Sequence, residues 1–170
     1  MKRKHLITQI LSMVLGIMVG GFSHGDSNPS TPNPTTLKVT ISSNTHGQYH
    51  VGDTLTTHLQ TNEDGFVFCY YQDAWGKIVR IFPNRFRPDS AVQGNQIVIL
   101  PAKSSGYKIL FDKTGTEQVT CYASHQNIAI SDIQPEDLSP LSVNSIDEIG
   151  DILRKQNPHL ATATLNIVVH

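Results

Sequence analysis

Three arginines crowd the stretch KIVRIFPNRFRPDS, residues 77–90: Arg80, Arg85 and Arg87, with Asn84 and Phe86 between them and Trp75 just upstream. A guanidinium carries a planar fork of donors that matches carboxylate, phosphate or sulfate, so arginines gathered on one loop are a candidate anion grip. Aromatic side chains beside arginine are a frequent composition at protein interfaces. Trp75, Arg80, Asn84, Arg85, Phe86 and Arg87 therefore form a candidate binding set. The competing reading is a solvated loop where a strand stops. Pro83 lacks an amide hydrogen, so the run KIVRIF must end its pairing there or lie at an edge. Alternation along that run sets Ile78, Arg80 and Phe82 on one side and Lys77, Val79 and Ile81 on the other. From Arg85 to Gln96 the composition is polar and reads as a surface loop.

Other chemistry finds little support. Cys69 and Cys121 are the only cysteines, and both fall within apolar runs that read as strands. In an oxidising compartment an even count invites a disulfide, which would close a loop of about 50 residues and stabilise the fold by roughly 4 kcal/mol in the chain-entropy model. Two buried free thiols are the alternative. Of the eight histidines, His46 and His50 stand four apart in the loop HGQYH and not on a helix face, and no zinc site is expected from them. Ser105 and Lys108 form an S-x-x-K, and Lys113-Thr114-Gly115 a K-T-G, as in penicillin-binding proteins. Both fall on one short hairpin of a small β-rich chain, where that architecture cannot fit. No nucleophile elbow, phosphate loop, dinucleotide fingerprint or H-E-x-x-H occurs. The expectation is no catalytic residue, no metal and no cofactor.

The chain opens with the basic triplet Lys2-Arg3-Lys4, an apolar stretch from Leu6 to Phe22, and small residues at Ser23 and Gly25, the layout of a cleaved export signal over 1–25. An uncleaved anchor is the alternative, although a 17-residue stretch diluted by Thr8, Gln9 and Ser12 is short for a bilayer span. DSNPSTPNPTT, residues 26–36, has almost nothing to bury and reads as a flexible tether. Residues 37–170 suit one domain. The whole chain has 13 Lys+Arg and 14 Asp+Glu; losing Lys2, Arg3 and Lys4 leaves 10 against 14, a net charge of −4. Such an acidic balance disfavours bulk nucleic-acid binding. Charge is also unevenly placed: six basic residues and one acid from Ala74 to Phe111, six acids and no Lys or Arg from Ser124 to Ile152. The asymmetry can steer a charged partner or let the two halves attract each other.

The elements that would position these residues have a period of two. LKVTIS buries Leu37, Val39 and Ile41, and TLTTHLQ buries Leu55, Thr57 and Leu59, each leaving the other face wet with His58 on the solvent side. FVFCYY, residues 66–71, has no polar face and belongs in the centre, covered on both sides. KIVRIF, NQIVIL, YKILFD, TEQVTCYAS and TATLNIVV supply further strands. SIDEIGDILRKQNP predicts a helix over 145–157, with Ser145 and Glu148 at capping-box spacing and an apolar stripe of Ile146, Ile149, Ile152 and Leu153. Its expected task is to cap an open edge or end of the sheets. The fold class is all-β, a two-sheet β-sandwich with one C-terminal helix. It is immunoglobulin-like but not a true immunoglobulin domain, because Val119 stands where that family has a tyrosine and Trp75 falls in a turn.

Val51-Gly52-Asp53, Asp64-Gly65-Phe66, Asp73 to Gly76-Lys77, Ile81-Phe82-Pro83-Asn84, Leu100-Pro101 and Gly115-Thr116-Glu117 follow one another in an order and spacing that resembles the DUF4384 family, over about residues 37–124. The resemblance implies a bacterial β-rich module, often exported or appended to other domains, and supplies no catalytic residue. The functional expectation is an exported, non-enzymatic sandwich, periplasmic or extracellular and without a stable membrane span. It would bind a partner protein or envelope component through loops 73–76 and 83–96. The alternative is a small envelope hydrolase acting on cell-wall or glycan material, which requires two loop acids such as Asp64 and Asp73 within about 10 Å across a cleft.

Overall fold

The computed structural model describes residues 36–130 and 137–170. The expected export signal and all but the last residue of the tether lie outside the described residues. Among those described, nine strands and one helix occur: β1 (Val39–Ser42), β2 (Gln48–Tyr49), β3 (Thr57–Thr61), β4 (Gly65–Gln72), β5 (Ile78–Phe82), β6 (Ala91–Val92), β7 (Val98–Leu100), β8 (Gly115–Ser124), α1 (Ile146–Gln156) and β9 (Ala161–Val169). A small sheet has the order β1-β3-β7 and a large one β2-β9-β8-β4-β5, with β6 paired to β4. The class is all-β, two layers of sheet with a single short helix.

Apolar alternation drives this arrangement. Leu59, Val98 and Leu100 from the small sheet meet Val67, Tyr71, Val119 and Ile167 from the large one in the inter-sheet core. β4 has a second apolar face as well, where Phe68 and Tyr70 join Ile78, Tyr122, Ile146, Ile149 and Leu153 in a second core. FVFCYY is thus covered on both sides, as its unbroken hydrophobicity requires. The helix corrects one expectation: it lies on the outer face of the large sheet, not at an edge or end. Cover is needed there because Phe68, Tyr70 and Tyr122 would otherwise face water. Ser145 caps α1 by accepting from the Glu148 N–H at 3.2 Å, and Glu148 reaches back to the Asn144 N–H at 2.9 Å. Gly150 permits close approach, since a Cβ there would stand 2.9 Å from the Tyr122 hydroxyl oxygen.

Four further expectations change. YKILFD forms no strand; only Leu110 bridges to Thr54, and the segment otherwise runs as a loop. The stretch 85–96 is not all loop, because Ala91–Val92 pairs with the start of β4. The stretch HGQYH is not all loop, because Gln48 and Tyr49 form β2 and pair parallel with β9. Lastly, a bulge sets Cys69 opposite Phe82 and Tyr70 opposite Arg80, leaving Ile81 as the extra residue. Phe82 consequently joins Ile81 in the inter-sheet core, while Ile78 and Arg80 stay on the helix side.

Cys69 and Cys121 stand directly opposite in β4 and β8 with Cα atoms 4.1 Å apart, and they are disulfide-bonded. Both are fully buried in the inter-sheet core.

Candidate functional site

Pro83 and Asn84 end β5 and fold the chain into a tight turn, in which Asn84 and Arg87 exchange backbone hydrogen bonds of 3.0 and 2.9 Å. Asn84 is only 5% exposed, and its side chain organises the turn. Its amide donates to the Ile81 carbonyl at 2.6 Å and the Tyr107 hydroxyl at 3.1 Å, while its oxygen accepts from the N–H groups of Phe86 and Arg87. Phe86 stacks on Tyr107 with ring centroids 5.8 Å apart and closes over Gly106, where a Cβ would come within 2.2 Å of its ring. Arg87 lies over the Phe82 ring at 5.2 Å.

Arg85 reaches across the charge asymmetry to Asp137. Its Nη2 stands 2.9 Å from Asp137 Oδ1, its Nε donates to the same oxygen at 3.0 Å, and its backbone N–H donates to Oδ2. Partial burial pushes the Asp137 carboxyl up, but the Arg85 hydrogen bonds outweigh it and hold the group below its usual range. Arg80 is treated differently. It forms no ion pair among the described residues, and its Nε is buried without a hydrogen-bond partner. Desolvation lowers its pKa against the pull of Tyr70 and Asp137. Arg80, Asn84 and Arg85, with Pro83, Pro88, Ile130 and Asp137, line a cleft of about 650 Å³. Among the described residues, two guanidiniums and one carboxylate line that cleft.

Trp75 lies apart from these residues. Asp73 holds its turn by accepting from the N–H groups of Trp75 at 2.9 Å and Lys77 at 2.8 Å, and Gly76 takes a φ of 82°. The ring is 53% exposed, with Lys113 Nζ 5.1 Å from its centroid. It borders a groove of about 330 Å³ shared with Val79, Ile81, Leu110 and Leu138. β5 separates this groove from the arginine cleft, because Val79 and Arg80 point to opposite faces. The candidate set is therefore divided: Arg80, Asn84 and Arg85 share one cleft, Phe86 and Arg87 line its neighbour, and Trp75 stands across the strand.

Residues 48–127 match the family model of the domain of unknown function DUF4384. The match begins later than the resemblance read from sequence and ends slightly further on. No curated protein and no solved structure matches the chain. All six candidate residues and both cysteines lie inside the DUF4384 region, whereas α1 and β9 lie beyond it. β9 is nonetheless internal to the large sheet, pairing with β8 over nine residues and with β2 on its other side. The C-terminal tail thus completes the sandwich around the DUF4384 region.

Asp64 and Asp73 flank opposite ends of β4, whose eight residues separate them by about 30 Å. Each serves its own turn, Asp64 accepting from the Gly94 N–H at 2.8 Å. They share no cleft. Among the described residues no three His, Cys, Asp or Glu side chains gather as metal ligands, and no helix is long and apolar enough to cross a membrane.

Two participants had weak or no sequence signal. Asp137 was foreshadowed only by the charge asymmetry. Glu117 was hidden by its place in an alternating strand: it is buried, accepts from the Tyr71 hydroxyl, and accepts from the Ala74 N–H at 3.3 Å. Desolvation raises its pKa, opposed by those hydrogen bonds and reinforced by Asp73 and Asp112.

Proposed function

We propose that the protein is an exported, non-enzymatic binding module whose cleft beside β5 receives an acidic group of a protein or envelope partner. The observation that carries this reading is Arg80, a partly buried cation without an ion-pair partner among the described residues, beside an Arg85 already held by Asp137. A desolvated guanidinium gains more from an incoming carboxylate or phosphate than a solvated one, because water competes less for its donors. Asn84 shapes the cleft wall, Phe86 and Arg87 line the neighbouring cleft, and Trp75 offers a second contact across the strand. The buried disulfide supports an oxidising compartment.

The test is cross-linked capture from an envelope extract by wild-type protein and by Arg80→Gln, matched for Tm. Wild type is expected to retain a species that Arg80→Gln loses. Equal capture by both proteins would remove the cleft as the contact.

A further inference from the structure

A second cleft, of about 490 Å³, opens on the outer face of the small sheet. Its exposed apolar surface comes from Ile99, with Leu55 and Pro101 buried behind it, and its rim carries His58, Lys103 and Lys108. No Asp or Glu lines it, and neither lysine forms an ion pair among the described residues. Lys113 shows the contrast, since its ammonium is placed over the Trp75 ring.

The loop bearing both lysines is held from several directions. The Ser105 N–H donates to the Ala102 carbonyl at 2.8 Å, and the Tyr107 hydroxyl donates to the Ile81 carbonyl at 2.9 Å. Phe86 stacks on Tyr107 and presses on Gly106. Two like charges are thereby kept beside one hollow with no counter-charge among the described residues, an arrangement that favours an anion between them. The volume falls within the range of small-molecule sites, and Ile99 leaves apolar surface uncovered within it.

We infer that this cleft binds a small amphiphilic anion, an apolar body seated on Ile99 with one anionic head between Lys103 and Lys108. The site is separate from the Arg80 cleft and does not depend on it.

Titration of the ¹⁵N-labelled protein with hexanoate, 1-hexanol and inorganic phosphate, followed by amide chemical shifts, tests the assignment. Hexanoate is expected to give saturable shifts over residues 54–58 and 99–108, with both single-feature probes markedly weaker. Lys103→Ala/Lys108→Ala should weaken hexanoate by about fivefold at unchanged Tm, the size that two exposed ion pairs supply. Four outcomes would each overturn the inference: no saturable hexanoate shifts, equal binding of hexanol or phosphate, an unchanged affinity in the double variant, or shifts confined to the Arg80 cleft.

Discussion

The two sheets treat their outer faces in opposite ways. On the large sheet, Phe68, Tyr70 and Tyr122 point away from the sandwich and are sealed by Ile146, Ile149 and Leu153 of the helix. On the small sheet, His58, Gln60 and Ile99 point outward, half-buried or exposed, and a cleft opens beside them. An apolar outer face must be covered and is then unavailable for binding, whereas a mixed one can stay open. Both candidate binding regions follow this division. The Arg80 cleft lies at the margin of the covered face, and the lysine cleft lies on the uncovered one.

The contrast can be broken most severely by deleting residues 145–170. That truncation removes the cover and an internal strand together, so loss of any cooperative thermal transition is expected, monitored by circular dichroism. Retention of a cooperative transition would show that the DUF4384 region folds without its tail. Next in size is Cys69→Ala/Cys121→Ala. The bond joins residues 52 apart, and its loss should cost about 2–4 kcal/mol in urea unfolding by relaxing the unfolded chain.

Tyr122→Phe probes the covered face more gently. The Tyr122 hydroxyl donates to the Ile146 carbonyl at 2.8 Å, and removing that bond at nearly constant volume should cost about 1 kcal/mol. An unchanged unfolding midpoint would mean that apolar packing alone seats the helix. Glu117 sharpens the comparison through pH. Its folded pKa lies above the ordinary 4.5, so folding takes up a proton in the window between the two values. Its contribution is present at low pH and is lost as pH rises through the raised value. Urea unfolding from acid to neutral pH should show a downward component in the wild type that Glu117→Gln lacks; parallel profiles would contradict the shift. Smallest of all, Ile97→Thr on the uncovered side should change stability by less than about 0.5 kcal/mol, because Ile97 is 63% exposed.

Much of this organisation was legible from side-chain order. Leu55, Thr57 and Leu59 face inward as their alternation requires, and Ile146, Ile149 and Leu153 form the buried stripe of α1. Legibility failed where a single residue altered the phase. Ile81 as a bulge residue turned Phe82 into the inter-sheet core, which strict alternation along KIVRIF could not reveal. YKILFD has strand composition, but among the described residues it bridges only Thr54 and stays a loop. In the candidate set, arginine chemistry was readable as a group, but the separate fates of its members were not. Arg85 met Asp137 from 52 positions away, and Arg80 was left beside them without an ion-pair partner among the described residues.

By itself the order of residues determined which strands have one wet face, that FVFCYY is buried twice, that the tail contains a helix with its cap, and where the chain turns. Those are local matters, decided by side-chain period, by missing or permissive backbone groups, and by short-range hydrogen bonds. Tertiary structure alone decided that Cys69 faces Cys121, that the helix covers a face and not an edge, that β9 lies inside the large sheet, and which cations form an ion pair among the described residues. Each of these depends on residues brought together from distant parts of the chain, and no local pattern records which partner a side chain will meet.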